Sequence, residues 1–203
     1  MLVWSILTEP AWKELRRKGR LRASRRHVAK EFIGPYVWMA DQMERRLIVP
    51  RPSKDVLPLW AWYQWEGNRR KPDLRASGHL PQGDRGVRVE FQATNTEVLL
   101  SDFDLWHYVL NYWYLPESDN DDKAFEKKLA RLGLSFYKRD HQNPLPDARY
   151  RRAIERSWER IFDIEWADRA HSIAEPPEKK SLQATLWEIR LEDVAETNAF
   201  TGR

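Results

Sequence analysis

The sequence predicts an α+β fold, in which a small mixed or antiparallel sheet packs with helices and the C-terminal half is the more helical. Apolar residues alternate with period two in segments such as Val87 to Gln92 and recur with period 3.6 in segments such as Tyr36 to Leu47. The two kinds of segment mix without a regular strand–helix alternation, which favours α+β over a doubly wound parallel sheet. A length of 203 residues, 41% of them hydrophobic, predicts one compact domain at 1–203, with 115–178 as a candidate helical insertion.

Helix-capping residues, glycines and prolines indicate where the helices and strands in the first half of the chain begin and end. Thr8 suits the N-cap of a helix and Gly19 suits its C-terminal stop. Pro58 belongs at the start of a strand, because proline donates no hydrogen bond within a ladder. The predicted strands are 2–7, 57–65, 87–92 and 97–100, the predicted helices are 9–18, 25–32 and 35–47, and 66–86 is a loop.

In the second half, the segment from Ser101 to Asp104 resembles a helix-capping arrangement, since acidic side chains suit a helix N-terminus. The helix that follows is expected to end near Asn111. Pro176 and Pro177 break the chain before a final strand. The remaining predicted elements are helices at 123–131 and 146–166, a short strand or turn at 133–137, and the final strand at 182–191.

The composition excludes several classes of site and predicts a cytoplasmic protein. There is no cysteine, which excludes disulfides, thiolate metal sites and a cysteine nucleophile. No apolar run approaches the roughly 20 residues that a membrane-spanning helix needs, so no membrane association is expected. The apolar start from Met1 to Leu7 is short and lacks a basic segment, which is atypical of a signal peptide.

Positive charge is concentrated near the N-terminus. The net charge is +4 with a pI near 9.3, and the basic residues cluster between Lys13 and Lys30. Such a cluster attracts nucleic acid or another anionic ligand through its field and through counterion release. A solvated, arginine-rich helix face explains the same pattern.

A tryptophan-rich strand next to a basic loop is a candidate binding surface. The chain has 11 tryptophans, and period two places Trp60 and Trp62 on the same face of the strand. If that face is open, the two rings form a platform on which bases stack beside cations, and if a helix covers it, they belong to the core. The predicted ligand-binding residues are Trp60, Trp62, Arg69, Arg70, Lys71, Asp73 and Arg75.

A second candidate site combines two carboxylates and an imidazole. Asp104 and His107 are three residues apart on one helix, so they share a face, and Asp102 lies just before them. A carboxylate orients a histidine and raises its basicity, as general-base catalysis requires. The alternative is that the aspartates cap the helix. The chain lacks a Walker loop, a dinucleotide glycine motif, a nucleophile elbow and any histidine pair with zinc-helix spacing, so no metal site is predicted.

Three strings carry a family resemblance: Leu59 to Trp62, Lys71 to Arg75, and Leu99 to His107. Together with Trp4 and Trp12 near the N-terminus, these strings resemble a bacterial family known as a domain of unknown function, DUF3841. The resemblance covers most of the chain and is densest between residues 58 and 115. It implies no catalytic residue, cofactor or substrate.

Four functional hypotheses remain open, and the sequence does not decide whether the protein is an enzyme. The favoured one is a binding module for nucleic acid or a nucleotide, which uses the basic, tryptophan-rich surface. The second is an NAD-using enzyme similar to ADP-ribosyltransferases, with Glu188 as the late glutamate, although Ser5 stands where that family has Arg or His. The third is a hydrolase that uses Asp102, Asp104 and His107. The fourth is a structural or partner-binding protein.

Overall fold

A six-stranded antiparallel sheet forms the centre of the fold. The structure is a computed structural model that describes residues 1–168, 170 and 172–203. The sheet has the strand order β10-β6-β1-β5-β8-β7, and the short pairs β2–β9 and β3–β4 lie outside it. The strands are β1 (Leu2–Thr8), β2 (Arg20–Leu21), β3 (Ala23–Ser24), β4 (Val56–Leu57), β5 (Leu59–Gln64), β6 (Arg85–Gln92), β7 (Leu99–Asp102), β8 (Leu182–Leu186), β9 (Ile189–Arg190) and β10 (Val194–Thr201).

Five α-helices form within the described residues: α1 (Glu9–Lys18), α2 (Ile33–Arg46), α3 (Phe103–Leu110), α4 (Asp119–Ala130) and α5 (Ala148–Ser157). Side-chain oxygens cap the N-termini of α1, α3, α4 and α5, as polar N-cap residues do when they accept otherwise unpaired N–H groups. The sheet and helices confirm the α+β class. Helices occur in both halves of the chain, so the expected excess of helix in the C-terminal half is not confirmed.

The two faces of the sheet bury separate hydrophobic clusters. On one face, Leu15 of α1 packs with Val3 of β1 and Val89 of β6. On the other face, α2 and α3 contribute Met39 and Trp106 to a larger cluster. Because side chains alternate along a strand, residues adjacent in β5 belong to opposite faces. The same cluster includes buried residues of α4 and α5, which lie in the predicted insertion 115–178.

Element positions differ from the sequence predictions at the C-terminal end. The helix predicted at 146–166 is α5 followed by a 3₁₀ segment at Trp158–Phe162. The strand predicted at 182–191 divides into β8 and β9, and it is not the last strand. β10 was not predicted, because it is a mostly exposed edge strand that lacks an apolar alternation.

A buried ion pair fixes the start of α3. Nζ of Lys180 lies 3.1 Å from Oδ2 of Asp102, and both side chains are at most 3% exposed. Oδ1 of Asp102 accepts the backbone N–H groups of Asp104 and Leu105, while Lys180 also donates to the carbonyl of Trp166 at 2.6 Å. The pair therefore joins the end of β7, the start of α3, the entry to β8 and the segment around residue 166.

We expect Lys180→Met to lower the free energy of unfolding by about 3–5 kcal/mol, because it leaves the Asp102 carboxylate buried without a counter-charge. Urea denaturation measures this change. Adding Asp102→Asn should recover part of the loss, since a neutral amide retains an oxygen for the cap. Arg75→Ala, which breaks an exposed pair with Asp73, is the control and should leave the urea midpoint nearly unchanged. A Lys180→Met protein as stable as wild type would contradict this account of the pair.

Candidate functional site

A cleft of about 470 Å³ lies where β5 leads into the long loop 65–84. One wall is aromatic and consists of Trp62, Trp65 and Phe103. Trp62 meets the rings of Trp65 and Phe103 edge-on, with centroids 4.9 Å away in each case. The rest of the lining, the loop wall, consists of Arg70, Lys71, Pro72, Asp73, Ala76, Ser77, Gly78 and His79.

The base of the loop is held by the chain just before β8. The N–H of Gly67 donates to the carbonyl of Lys180 at 2.9 Å, and the N–H of Glu66 donates to Oγ of Ser181 at 3.0 Å. The carbonyl of Ser181 accepts the N–H of Phe103 at 2.9 Å. The same two residues thus position the loop and the first residue of α3, both of which line the cleft.

Gly67 permits the close approach that this anchoring requires. Its φ is +75°, and a Cβ at this position would lie 1.7 Å from the carbonyl oxygen of Glu178. Glu66, the preceding residue, also has a positive φ of 45°. Strained backbone of this kind persists only where the surrounding contacts fix it.

The basic side chains of the loop wall are partly compensated by acids. Arg70 lies 3.6 Å from Glu66, and Lys71 lies 2.7 Å from Glu196 of β10. The hydrogen bond to Glu196 raises the pKa of Lys71, so its ammonium group is charged at neutral pH. Both basic side chains are exposed to solvent, where such pairs exchange readily with an incoming anion.

Four of the seven predicted ligand-binding residues line this cleft: Trp62, Arg70, Lys71 and Asp73. Trp60 lies on the same face of β5, but Tyr36 and Trp106 cover it, with ring centroids 5.6 and 4.7 Å away. The guanidinium of Arg69 lies 3.6 Å from the ring centre of Tyr63 and donates to the carbonyl of Leu2. The guanidinium of Arg75 binds Asp73 and lowers the pKa of that carboxyl. Trp60, Arg69 and Arg75 are not among the residues that line the cleft.

The side chains of the predicted Asp102, Asp104 and His107 do not bond to one another, although Asp102 and His107 each contact the backbone of Asp104. Asp102 is buried as the cap of α3, and Asp104 is exposed. Partial desolvation and the negative charge of Asp102 raise the pKa of Asp104. Nδ1 of His107 lies 3.1 Å from the carbonyl oxygen of Phe103, and the imidazole meets the Phe103 ring edge-on at 5.0 Å. His107 therefore contacts the aromatic wall at Phe103.

Glu188 lies in a different cleft, of about 270 Å³, and is paired with Arg22. The two side chains approach to 2.6 Å, and Arg22 Nε also donates to the carboxylate at 2.7 Å. The cleft has further arginine–acid contacts, including Arg190 with Glu97 at 2.7 Å. The predicted catalytic residues are thus divided between two places in the structure.

Two residues of the aromatic wall, Trp65 and Phe103, were not among the predicted ligand-binding residues. Trp65 falls at the end of the predicted strand, and its side chain is 36% exposed. Phe103 was assigned only to the capping sequence before α3. Phe103 comes three residues before the buried Trp106, so the two share a helix face. This spacing was the available signal that Phe103 lies at the border of the region that the helix covers.

Among the described residues, no group of three or more His, Asp or Glu side chains could hold a metal ion. In that same part of the chain, none of the helices combines the length and apolarity needed to cross a membrane.

The model of the family described as "Domain of unknown function (DUF3841)" matches residues 2–195. The chain belongs to this family. The match confirms the family resemblance that the sequence strings indicated. The DUF3841 match includes the whole candidate cleft and most of the sheet, and it ends near the start of β10. No curated protein and no solved structure matches the chain.

We expect Gly67→Ala to be far more destabilising than Gly78→Ala, although both residues have a positive φ. At Gly78 the space around the added methyl is open, so the cost is limited to about 1 kcal/mol of backbone strain. At Gly67 the clash with the Glu178 carbonyl adds roughly 1–3 kcal/mol. Urea denaturation of the two variants measures the difference. Equal midpoints would show that the loop is not anchored at Gly67.

Proposed function

We propose that the chain is a binding module for a nucleotide, either free or as one unit of a single-stranded nucleic acid. The observation that carries the proposal is the cleft in which three aromatic rings face the loop with Arg70 and Lys71. A base would stack on the aromatic wall, and its phosphate would meet the basic side chains. Stacking on aromatic side chains binds every base, since each has a π face.

The size of the cleft supports a small ligand or a single unit of a polymer. Its volume of about 470 Å³ lies within the range of roughly 300–1,000 Å³ that is typical of small-molecule sites. Arg70 provides a planar, forked donor for phosphate oxygens, and Lys71 provides a point charge. Asp73 lies on the same wall, but Arg75 binds both oxygens of its carboxylate.

The basic N-terminal region is separate from this cleft. Helix α1, which has Arg16, Arg17 and Lys18 in its last turn, packs on the face of the sheet that includes Ala61. Trp62 points to the opposite face, because neighbouring residues of a strand alternate. The proposal therefore depends on the loop beside the cleft, and α1 contributes only to the long-range field.

The two enzymatic alternatives have weaker support. The carboxylate of Glu188 is neutralised by Arg22, in a cleft away from the aromatic wall. Asp102 is occupied by Lys180 and by the helix cap, so it is not available as a base. We propose a cytoplasmic, bacterial setting for the module, which a chain without cysteine suits.

We expect nucleoside triphosphates and short single-stranded oligonucleotides to bind at low salt, and Trp65→Ala to weaken binding by about 5- to 150-fold. This range corresponds to the loss of one base–aromatic stack. Trp65 is partly exposed, so its removal leaves the core intact. Calorimetric titration of each ligand at two or three salt concentrations gives the affinity and its salt dependence.

The matched control compares two arginines of the same loop. Arg70→Ala should weaken binding and reduce the slope of log affinity against log salt for oligonucleotides by about one. Arg75→Ala removes the same charge from a side chain that binds Asp73 and does not line the cleft, so its effect should be small. Equal effects of the two variants would indicate a diffuse electrostatic attraction. Absence of binding to any nucleotide or oligonucleotide at low salt would refute the proposal.

A further inference from the structure

A second aromatic cleft, of about 280 Å³, lies between the end of α3 and the start of α4. Five of its lining residues are aromatic and two are acidic, and none of the described residues that line it is a lysine or an arginine. The aromatic residues are Tyr108, Trp113, Tyr114, Phe136 and Tyr137, and the acidic ones are Asp119 and Asp122. The charge beside the rings is therefore opposite in sign to that of the cleft at Trp62.

A strained turn fixes the main chain of Trp113. Tyr112 has a φ of +58°, which bulky side chains rarely adopt. The side chain of Tyr112 is buried, and its hydroxyl accepts the N–H of Leu145. The N–H of Trp113 donates to the carbonyl of Tyr108 at 2.9 Å, and its carbonyl accepts Nε1–H of Trp158 at 2.6 Å. The main chain of Trp113 is thus fixed on both sides, while the residue as a whole remains 39% exposed.

The other rings of the cleft are held by neighbouring groups. The ring of Tyr114 stacks on Phe125 at a centroid distance of 3.9 Å, and its hydroxyl donates to Asp121 at 2.9 Å. Tyr108 meets Trp113 edge-on at 6.2 Å. Tyr137 packs against the buried Phe136 at 4.3 Å and is 59% exposed. The aromatic wall is therefore assembled before any ligand arrives, and two of its rings are accessible from solvent.

The two carboxylates give the cleft a negative potential. Both lie in the first turn of α4, where Asp119 is exposed and Asp122 is half-buried. Burial and the nearby Glu126, Asp121 and Asp119 raise the pKa of Asp122, so a cation entering the cleft would be favoured by relief of this repulsion. Aromatic faces are themselves negative, and rings arranged around a space bind quaternary ammonium groups.

We propose that this cleft binds an organic cation of the methylated ammonium class, with the methyl groups against the rings of Trp113, Tyr108 and Tyr137. The carboxylates of Asp119 and Asp122 supply the counter-charge. The trimethylammonium group is the part recognised, whether it belongs to a small molecule or to a modified side chain. This site is independent of the nucleotide cleft.

Choline is the probe for the small-molecule form, and 3,3-dimethylbutan-1-ol is its neutral isostere. We expect choline to bind the full chain about 2- to 30-fold more tightly than the neutral alcohol, the ratio that a cation–π interaction provides. Titrations followed by NMR chemical shifts measure both affinities. A peptide with trimethyllysine, compared with its unmodified form, tests the side-chain form. Equal binding of choline and the alcohol, together with equal binding of the two peptides, would overturn the proposal.

Single substitutions test whether choline binds in this cleft. Trp113→Ala and Asp122→Asn should each weaken choline binding, while Trp113→Phe, which keeps an aromatic face, should retain an intermediate affinity even if the alanine variant folds poorly. Trp65→Ala is the matched control, since it removes an equally exposed tryptophan from the other cleft and should leave choline binding unchanged. Loss of choline binding in Trp65→Ala but not in Trp113→Ala would place the site elsewhere and overturn the assignment. Nucleotide binding should show the reverse dependence on these two tryptophans, so the two proposals fail separately.

Discussion

The buried contact between Asp102 and Lys180 is the constraint on which the arrangement of the candidate cleft depends. Two opposite charges that are buried away from water stabilise each other, and each also needs hydrogen bonds from its surroundings. Here those bonds come from the first turn of α3 and from the carbonyl of Trp166. Because Lys180 and Ser181 also hold the base of the loop at Glu66 and Gly67, one local cluster determines both walls of the cleft. A contact that adds little net stability can in this way specify a geometry.

The aromatic face of β5 shows how core and surface can share a single strand. Trp60 and Trp62 point the same way, yet Tyr36 and Trp106 cover the first and leave the second at the border of a cleft. Helix α3 begins at Phe103, which meets Trp62, and one turn later its Trp106 covers Trp60. A platform that is half buried gains rigidity from its covered part, which is what a stacking surface requires.

Local patterns predicted much of this fold, and long-range contacts account for the rest. The N-cap Thr8, the stop at Gly19 and the alternation in β6 follow from a few neighbouring residues, and the structure confirms them. Sequence spacing does not show which tryptophan of β5 is covered by a helix, because this depends on where α2 and α3 pack on the sheet. The pairing of Arg22 with Glu188 joins residues 166 positions apart, and no periodicity indicates it. Sequence spacing brought Trp62, Arg70, Lys71 and Asp73 into one candidate set but could not place Phe103, which comes from another element.

The last strand has a consequence for how the sheet meets other molecules. β10 pairs along the length of β6, whose Val87, Val89 and Phe91 are buried. If β10 were absent, the backbone donors and acceptors of β6 would form an open, apolar edge, which is a template for strand addition by a second chain. The outermost strand is instead β10, whose exposed residues include Glu196, Thr197 and Thr201. β10 therefore protects the apolar strand β6 from such strand addition.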